Sequence, residues 1–255
     1  MLLSSISIPR RLSFAAILCC LLLSGSTKSS KADTDIVADE AMRTFILDTI
    51  RQNPEIVVEA MRILHAREQK EHEEAARKAL STYHAVLKQD PSAPVGGNPK
   101  GDVTIVEFFD YRCGYCKRAF PKVVELLAED ANIRWVFKEL PILGPDSRLA
   151  ARVALAVWNI APEKYWNFHA KTMTSGGSPT KDKLFAIARD SGVDETALEN
   201  AMKDGAIQES LQRNLELARA LGIDGTPAFV IGDKIIRGAI GVEEFKSLIA
   251  ESRKG

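Results

Sequence analysis

The chain of 255 residues carries 34 basic and 34 acidic side chains, so its formal net charge at pH 7 is zero. This balance lacks the basic excess with which proteins neutralise nucleic-acid phosphates, and we expect no nucleic-acid partner. The length allows one or two domains. The four cysteines lie close together in twos along the sequence, at positions 19 and 20 and at positions 113 and 116.

Residues 1–32 have the composition of an export signal. They contain no acid, carry two adjacent arginines, and include an apolar run from Leu12 to Leu23. This run of about a dozen residues is shorter than the roughly 20 that span a membrane, so cleavage is favoured and a retained anchor is the alternative. Small residues near 24–26 and 30–32 offer two competing cleavage points.

Cleavage would change both the charge and the cysteine content. Residues 1–32 hold four of the 34 basic residues and no acid, which leaves 30 basic against 34 acidic residues, a net charge of about −4. Cys113 and Cys116 would then be the only cysteines. We expect a periplasmic protein, in a compartment where disulfides form and persist.

Residues 33–90 are predicted to form two helices, Asp33 to Gln52 and Pro54 to about Gln89. The second helix has apolar stripes at its two ends and an almost wholly charged middle, His65 to Glu74. Since such a helix cannot bury its apolar stripes alone, the pattern predicts a stalk through which the chain forms a homo-oligomer. A helical hairpin folded onto the same chain is the alternative.

The segment PSAPVGGNPK, residues 91–100, is rich in proline and glycine and marks the boundary to a catalytic domain, 91–255. The pattern beyond it is that of an α/β domain. The predicted order is a strand (Val103–Phe109), a helix (Tyr115–Glu129), a strand (Ile133–Leu140), a helical insertion (about 144–222), a hairpin (228–231 and 234–237) and a last helix (Val242–Glu251). Pro121 should kink the first of these helices, and Gly222 should end the last helix of the insertion.

The motif Cys113-Gly114-Tyr115-Cys116 stands between the first strand and its helix. This spacing brings both sulfurs to a helix start, where unpaired N–H groups and the helix dipole stabilise a thiolate. Structural zinc needs about four ligands at spacings that do not occur here. A structural disulfide with so short a ring would restrict the unfolded chain little. We therefore predict a redox dithiol, with no metal site and no cofactor.

The motif, together with FKELPIL and LGIDGTPAF, gives residues 95–255 a resemblance to the DsbA family of thioredoxin-fold proteins. With its helical N-terminal extension, the chain is most similar to the ScsC-type subgroup. The resemblance implies that Cys113 attacks, that Cys116 resolves, and that a cis Thr226-Pro227 bond faces the pair. Substrate would bind along Thr226, Pro227, Gly114 and Tyr115, as a strand added to the backbone before the proline.

Glu107 lies in the middle of the first strand, where a carboxylate without a partner is costly to bury. The family has an acid beneath its active site at this place. We interpret Glu107 as the base that deprotonates Cys116, with a pKa raised by burial. The alternative is an acid that reaches solvent or pairs with Lys138. Lys138 and Glu139 are further candidates for the proton path, or simple surface residues.

Tyr115 occupies the position between the cysteines where strongly oxidising relatives have a histidine. Tyrosine carries no positive charge that would hold a thiolate, so we expect a less depressed thiol pKa and an intermediate redox potential.

These features predict an exported disulfide isomerase or reductase that acts on proteins with cysteines or disulfides and depends on a membrane redox partner. A dithiol oxidase is the alternative. Two thiolates could also carry Cu(I), and the stalk and groove could serve a holding chaperone.

Overall fold

The computed structural model describes residues 31–254, so the export signal predicted for residues 1–32 lies almost wholly outside the described part. The described chain divides into two compact units, one that ends at Ile63 and one that begins at Leu64. Its helices are α1 (Lys31–Gln52), α2 (Glu55–Lys88), α3 (Gly114–Glu129), α4 (Pro145–Ile160), α5 (Pro162–Thr174), α6 (Lys181–Asp190), α7 (Glu195–Ala201), α8 (Gly205–Ala220) and α9 (Val242–Ser252). Its strands are β1 (Val95–Gly97), β2 (Val103–Phe109), β3 (Ile133–Glu139), β4 (Ala228–Ile231) and β5 (Lys234–Arg237).

The two predicted N-terminal helices are confirmed, and the charged segment 65–74 is an uninterrupted part of α2. None of the helices within residues 31–254 is long and apolar enough to cross a membrane.

The five strands form one sheet in the order β1-β3-β2-β4-β5. The two central strands, β2 and β3, are parallel, and the other pairs are antiparallel. Both central strands are buried along nearly their whole length, which explains their continuous apolar sequences. Since β2 leads directly into the turn before α3, the cysteine motif lies at the carboxyl end of the central strand.

Strand β1 is absent from the sequence prediction because it lies in the proline- and glycine-rich segment assigned to the boundary. It pairs with β3 in antiparallel register, with Val95 opposite Val136. A Cβ on Gly97, where φ is +65°, would lie 2.5 Å from the carbonyl oxygen of Ile133. The close approach of the two backbones therefore requires glycine, although glycine has a low propensity to form strands.

The predicted helical insertion is five helices, α4 to α8. Gly222 follows α8 with φ of +65°, and the next residue's N–H binds the carbonyl of Ala218 at 2.8 Å, so the predicted glycine stop is confirmed. Pro121 lies inside α3, which continues as one helix from Gly114 to Glu129.

The end of α2 belongs to the core of the unit that begins at Leu64. Leu80 and Leu87 are buried in a cluster with apolar residues of β2, β3, β4 and α8. Just beyond the helix, Asp90 forms an ion pair with Lys138, whose side chain is fully buried. Burial opposes ionisation of Asp90, but hydrogen bonds from Lys138 and Ser92 outweigh it and lower the pKa of the carboxyl. The boundary at residue 91 stays a prediction.

We expect Asp90→Ala to destabilise the protein by about 2–4 kcal/mol, because it leaves the Lys138 ammonium buried without its partner. Adding Lys138→Met should recover most of this loss. The stabilisation should be complete above the unfolded carboxyl pKa of about 4 and be lost as the pH falls through the lower folded value. Denaturant unfolding measures all three effects, with Asp233→Ala on an exposed turn as the control. If Asp90→Ala lowers the free energy of unfolding no more than Asp233→Ala does, the expectation is contradicted.

Candidate active site

The cysteine motif is held by a buried carboxylate that the sequence analysis missed. Asp110, 1% exposed, accepts hydrogen bonds from the N–H of Arg112 at 2.7 Å, the N–H of Leu143 at 3.1 Å and the hydroxyl of Ser147 at 2.7 Å. Its own carbonyl accepts the N–H of Cys113 at 3.0 Å. These bonds fix the turn between β2 and α3, so that Cys113 stands at the N-cap of the helix.

The two cysteines are free thiols in different environments. Cys113 is 6% exposed and Cys116 is fully buried. The pKa of Cys113 is lowered to about 5, chiefly by the hydrogen bond from the Cys116 thiol; burial opposes this, and Thr226 and the N–H groups of Cys116 and Tyr115 add to it. The pKa of Cys116 is raised far above its usual value by burial, by Cys113 and by the charge of Glu107. At neutral pH, Cys113 is therefore a thiolate and Cys116 a thiol.

The predicted cis Thr226-Pro227 bond is confirmed, and Thr226 lies beside Cys113. The protonated thiol of Cys113 donates to the carbonyl oxygen of Thr226 at 3.1 Å. That bond favours the neutral thiol, whereas the Thr226 side chain favours the thiolate and lowers the pKa. On the other side of the motif, Gly114 and Tyr115 are exposed. Thr226 thus lies beside Cys113 and Pro227 is buried next to it, and the substrate-binding role of the four residues stays a prediction.

Glu107 lies in the interior, 2% exposed, and accepts a hydrogen bond from the indole N–H of Trp135 at 2.8 Å. Burial raises the pKa of Glu107 to about 7, against the opposing effect of this bond. Its charge in turn raises the pKa of Cys116. The alternative of a strand acid that reaches solvent or pairs with Lys138 is wrong, since Lys138 pairs with Asp90. The role of Glu107 as base stays a prediction.

The interpretation of Lys138 and Glu139 as surface residues is wrong, because both are buried. Neither carboxylate oxygen of Glu139 has a hydrogen-bond partner, and the same holds for the Tyr165 hydroxyl and the Nε2 atom of His169. The hydroxyls of Tyr111 and Tyr165 still lie close enough to affect the pKa of Glu139. Burial, followed by the nearby charge of Asp110, raises that pKa well above its usual value. Glu139 therefore keeps its proton to a higher pH than an ordinary carboxyl group does.

His169 completes this polar cluster. Its Nδ1 atom lies 2.9 Å from the Tyr111 hydroxyl, and burial among aromatic rings lowers its pKa to about 3. No local pattern could have shown a contact between residues 58 positions apart. An aspartate three residues before the first cysteine is, by contrast, a turn signal that the sequence did contain. Within residues 31–254 no three histidine, cysteine or acidic side chains are placed to share a metal ion.

Thr226→Val should raise the pKa of Cys113 from about 5 by about 1 unit, because it removes a hydrogen bond to the thiolate and keeps the side chain's shape. The ultraviolet absorbance of the thiolate, followed against pH, measures the midpoint. Thr174→Val, on an exposed part of α5, is the matched control. A midpoint that stays at about 5 would refute the assignment of this hydroxyl.

Glu107→Gln should slow the attack of Cys116 on a Cys113 mixed disulfide by about 100-fold, the usual contribution of a general base. In the unaltered protein this rate should rise with pH through about 7, where Glu107 ionises, and the variant should lose that rise. Reaction with an aromatic disulfide measures the step, since the second thiol released reports resolution. Glu125→Gln on the exposed face of α3 should leave the profile unchanged; an inflection that persists in Glu107→Gln would rule out the base.

Comparisons with known proteins agree with this geometry. Disulfide bond formation protein D of Bacillus subtilis is 30% identical over 173 residues, which cover 64% of this chain and 78% of that protein. A thioredoxin-like oxidoreductase from Silicibacter pomeroyi is 40% identical with a TM-score of 0.64, covering 67% of this chain and 98% of that one. The catalytic domain of Proteus mirabilis ScsC is 30% identical with a TM-score of 0.64, covering 70% and 99%.

The chain also matches Na(+)/H(+) antiporters of the NhaA type, but it spans only about a quarter of their length. The match to a family is more extensive, since the profile of the DSBA-like thioredoxin domain aligns with residues 104–250. That range begins in β2 and includes both cysteines, the helical insertion and the cis-proline loop. The chain therefore belongs to the DSBA-like thioredoxin family and is a thiol:disulfide oxidoreductase.

Proposed function

We propose that this oxidoreductase is an exported disulfide isomerase or reductase that works on proteins as a homo-oligomer built through residues 33–90. The observation that carries the proposal is the large apolar surface of the unit that ends at Ile63. Nine of its large apolar side chains are 41–69% exposed: Met42, Phe45, Ile46, Leu47, Ile56, Val57, Val58, Met61 and Ile63. Surface of this kind on a soluble protein favours association with another chain.

The chemistry begins with the Cys113 thiolate. It attacks one sulfur of a substrate disulfide, so that a Cys113–substrate disulfide forms and the other substrate sulfur leaves as a thiolate that takes a proton from water. When a substrate thiolate then attacks this mixed disulfide, a new substrate disulfide forms and Cys113 is regenerated. This route is isomerisation, because nothing is oxidised or reduced overall.

The second route uses Cys116. Its thiol gives a proton to Glu107 and its sulfur attacks Cys113, which releases the substrate reduced and leaves a Cys113–Cys116 disulfide. The enzyme has been oxidised by two electrons and must be reduced again. The partner that this cycle requires is a membrane-bound thiol reductase whose reducing thiols face the periplasm.

A dithiol oxidase is the second candidate, and the acidity of Cys113 favours it. A pKa of about 5 stabilises the reduced enzyme and so makes its disulfide more oxidising. The value lies between about 3.5 for the most oxidising relatives and about 7 for thioredoxin. It therefore fits the intermediate redox potential predicted from Tyr115. Whether the protein acts as an isomerase or as an oxidase then depends on its oligomeric state.

We expect the purified protein to be oligomeric by light scattering and to reshuffle a scrambled-disulfide substrate. Phe45→Glu combined with Val58→Glu should dissociate it and abolish reshuffling while the thiolate titration and reduction of a small aromatic disulfide persist. Thr44→Glu with Gln52→Glu adds the same charge at exposed polar positions of the same unit and is the control.

An unaltered protein that is monomeric, or a dissociated variant that still reshuffles disulfides, would overturn the isomerase proposal. The oxidase would then account for the site. Cys113→Ser should abolish both activities, and retained activity in that variant would instead support a holding chaperone.

A further inference from the structure

The surface around Cys113 is basic in a chain that is otherwise slightly acidic. Residues 31–254 contain 31 basic and 34 acidic side chains, a net charge of −3, yet residues 112–122 contain four basic side chains and no acid. Because these eleven residues include both cysteines, the positive charge is concentrated at the reactive sulfur.

Two of the four cations are arginines held at the surface beside the motif. The Nη1 atom of Arg112 donates to the carbonyl of Leu143 at 2.5 Å, and the guanidinium of Arg118 lies over the Tyr115 ring at 4.3 Å. Both are exposed, and neither forms an ion pair with any acid of residues 31–254. A guanidinium has five N–H donors, so both retain donors for a carboxylate from another molecule.

The two lysines differ from the arginines because their ammonium groups are already used. Lys117 donates to the carbonyls of Thr172 and Ser175, and Lys122 donates to the carbonyl of Ile240. The exposed guanidinium groups of Arg112 and Arg118 are therefore the groups best placed to pair with a partner's carboxylate, and the two half-buried lysines add positive charge beside them. We call Arg112 and Arg118 the arginine rim.

Two acids, one before the cysteine motif and one on the cis-proline loop, bear on the charge of this surface. The carboxylate of Asp110 is buried and bound by Arg112 N–H, Leu143 N–H and Ser147. Asp224 is exposed on the cis-proline loop, two residues before Thr226, and its single negative charge is outnumbered by the two arginines. Exposed apolar side chains at Tyr115, Ile142 and Leu143 add contact area that does not discriminate by charge.

We propose that the arginine rim selects substrate segments whose reacting cysteine is flanked by acidic residues. The proposal rests on the proposed action on protein substrates and names the class that reacts fastest. A flanking carboxylate would pair with a guanidinium as the substrate sulfur approaches Cys113, which raises the rate of encounter and stabilises the mixed disulfide. Lysine-flanked cysteines would meet repulsion from the same two charges.

The test uses two synthetic peptides that differ only in glutamate or lysine on either side of one cysteine, each carrying thionitrobenzoate in disulfide linkage. The Cys113 thiolate attacks the peptide sulfur, the peptide–thionitrobenzoate bond breaks, and the coloured thiolate leaves. The quantity measured is the ratio of the two second-order rate constants, glutamate over lysine. Any change in the pKa of Cys113 affects both peptides alike and cancels in this ratio.

We expect a ratio above one, with about a two- to fivefold contribution from each arginine at low salt. Arg118→Glu should reduce the ratio by more than that factor, because it replaces attraction by repulsion. Lys100→Glu makes the same change of charge on the exposed loop before β2, at the end of the strand opposite the cysteines, and should leave the ratio unchanged. At 1 M salt, where the screening length is about 3 Å, the preference should largely disappear.

A ratio of one at low salt, or equal effects of Arg118→Glu and Lys100→Glu, would overturn the arginine rim and leave the proposed function intact. Failure of both peptides to react would overturn the proposed function as well.

Discussion

The site depends on one constraint, which is that a thiolate has to form at the edge of an interior that cannot hold an unpaired charge. Cys113 meets it at the start of α3, where backbone N–H groups, the Cys116 thiol and the Thr226 side chain converge on the sulfur. Cys116, one turn further into the core, lacks these donors and stays protonated. This difference in depth supports the proposed order, in which Cys113 attacks and Cys116 resolves.

The hydrogen bonds of Asp110 fix the position of the cysteine turn. Its carboxylate binds two backbone N–H groups and one hydroxyl from three separate places in the chain, the cysteine turn, the loop after β3 and the first turn of α4. The same loop receives the Arg112 side chain at the Leu143 carbonyl. A single buried acid thus positions both the nucleophile and the charged surface beside it.

The predictable parts of this protein are those with a local pattern. The buried run of β2, the cysteine spacing, the glycine after α8 and the hairpin each follow from neighbouring residues, and the structure has them where the sequence places them. Strand β1 was not predictable, because its glycines are selected by contact with β3 and not by strand propensity. The partners of Glu107 and Lys138 were also unpredictable, since Trp135 and Asp90 reach them from other elements.

Glu107 and Glu139 illustrate how the fold gives two buried acids different environments. In the register of β2 and β3, Glu107 lies opposite Phe137 and Glu139 opposite Phe109, two residues further on, so both side chains are on one face of the sheet. Two carboxylates so placed in a poorly solvated interior cannot both ionise at low cost. Burial and the nearby charge of Asp110 raise the pKa of Glu139 well above its usual value, whereas Glu107 has the Trp135 indole and a pKa of about 7. A pKa of about 7 lets Glu107 gain and lose a proton near neutral pH, as the proposed deprotonation of Cys116 requires.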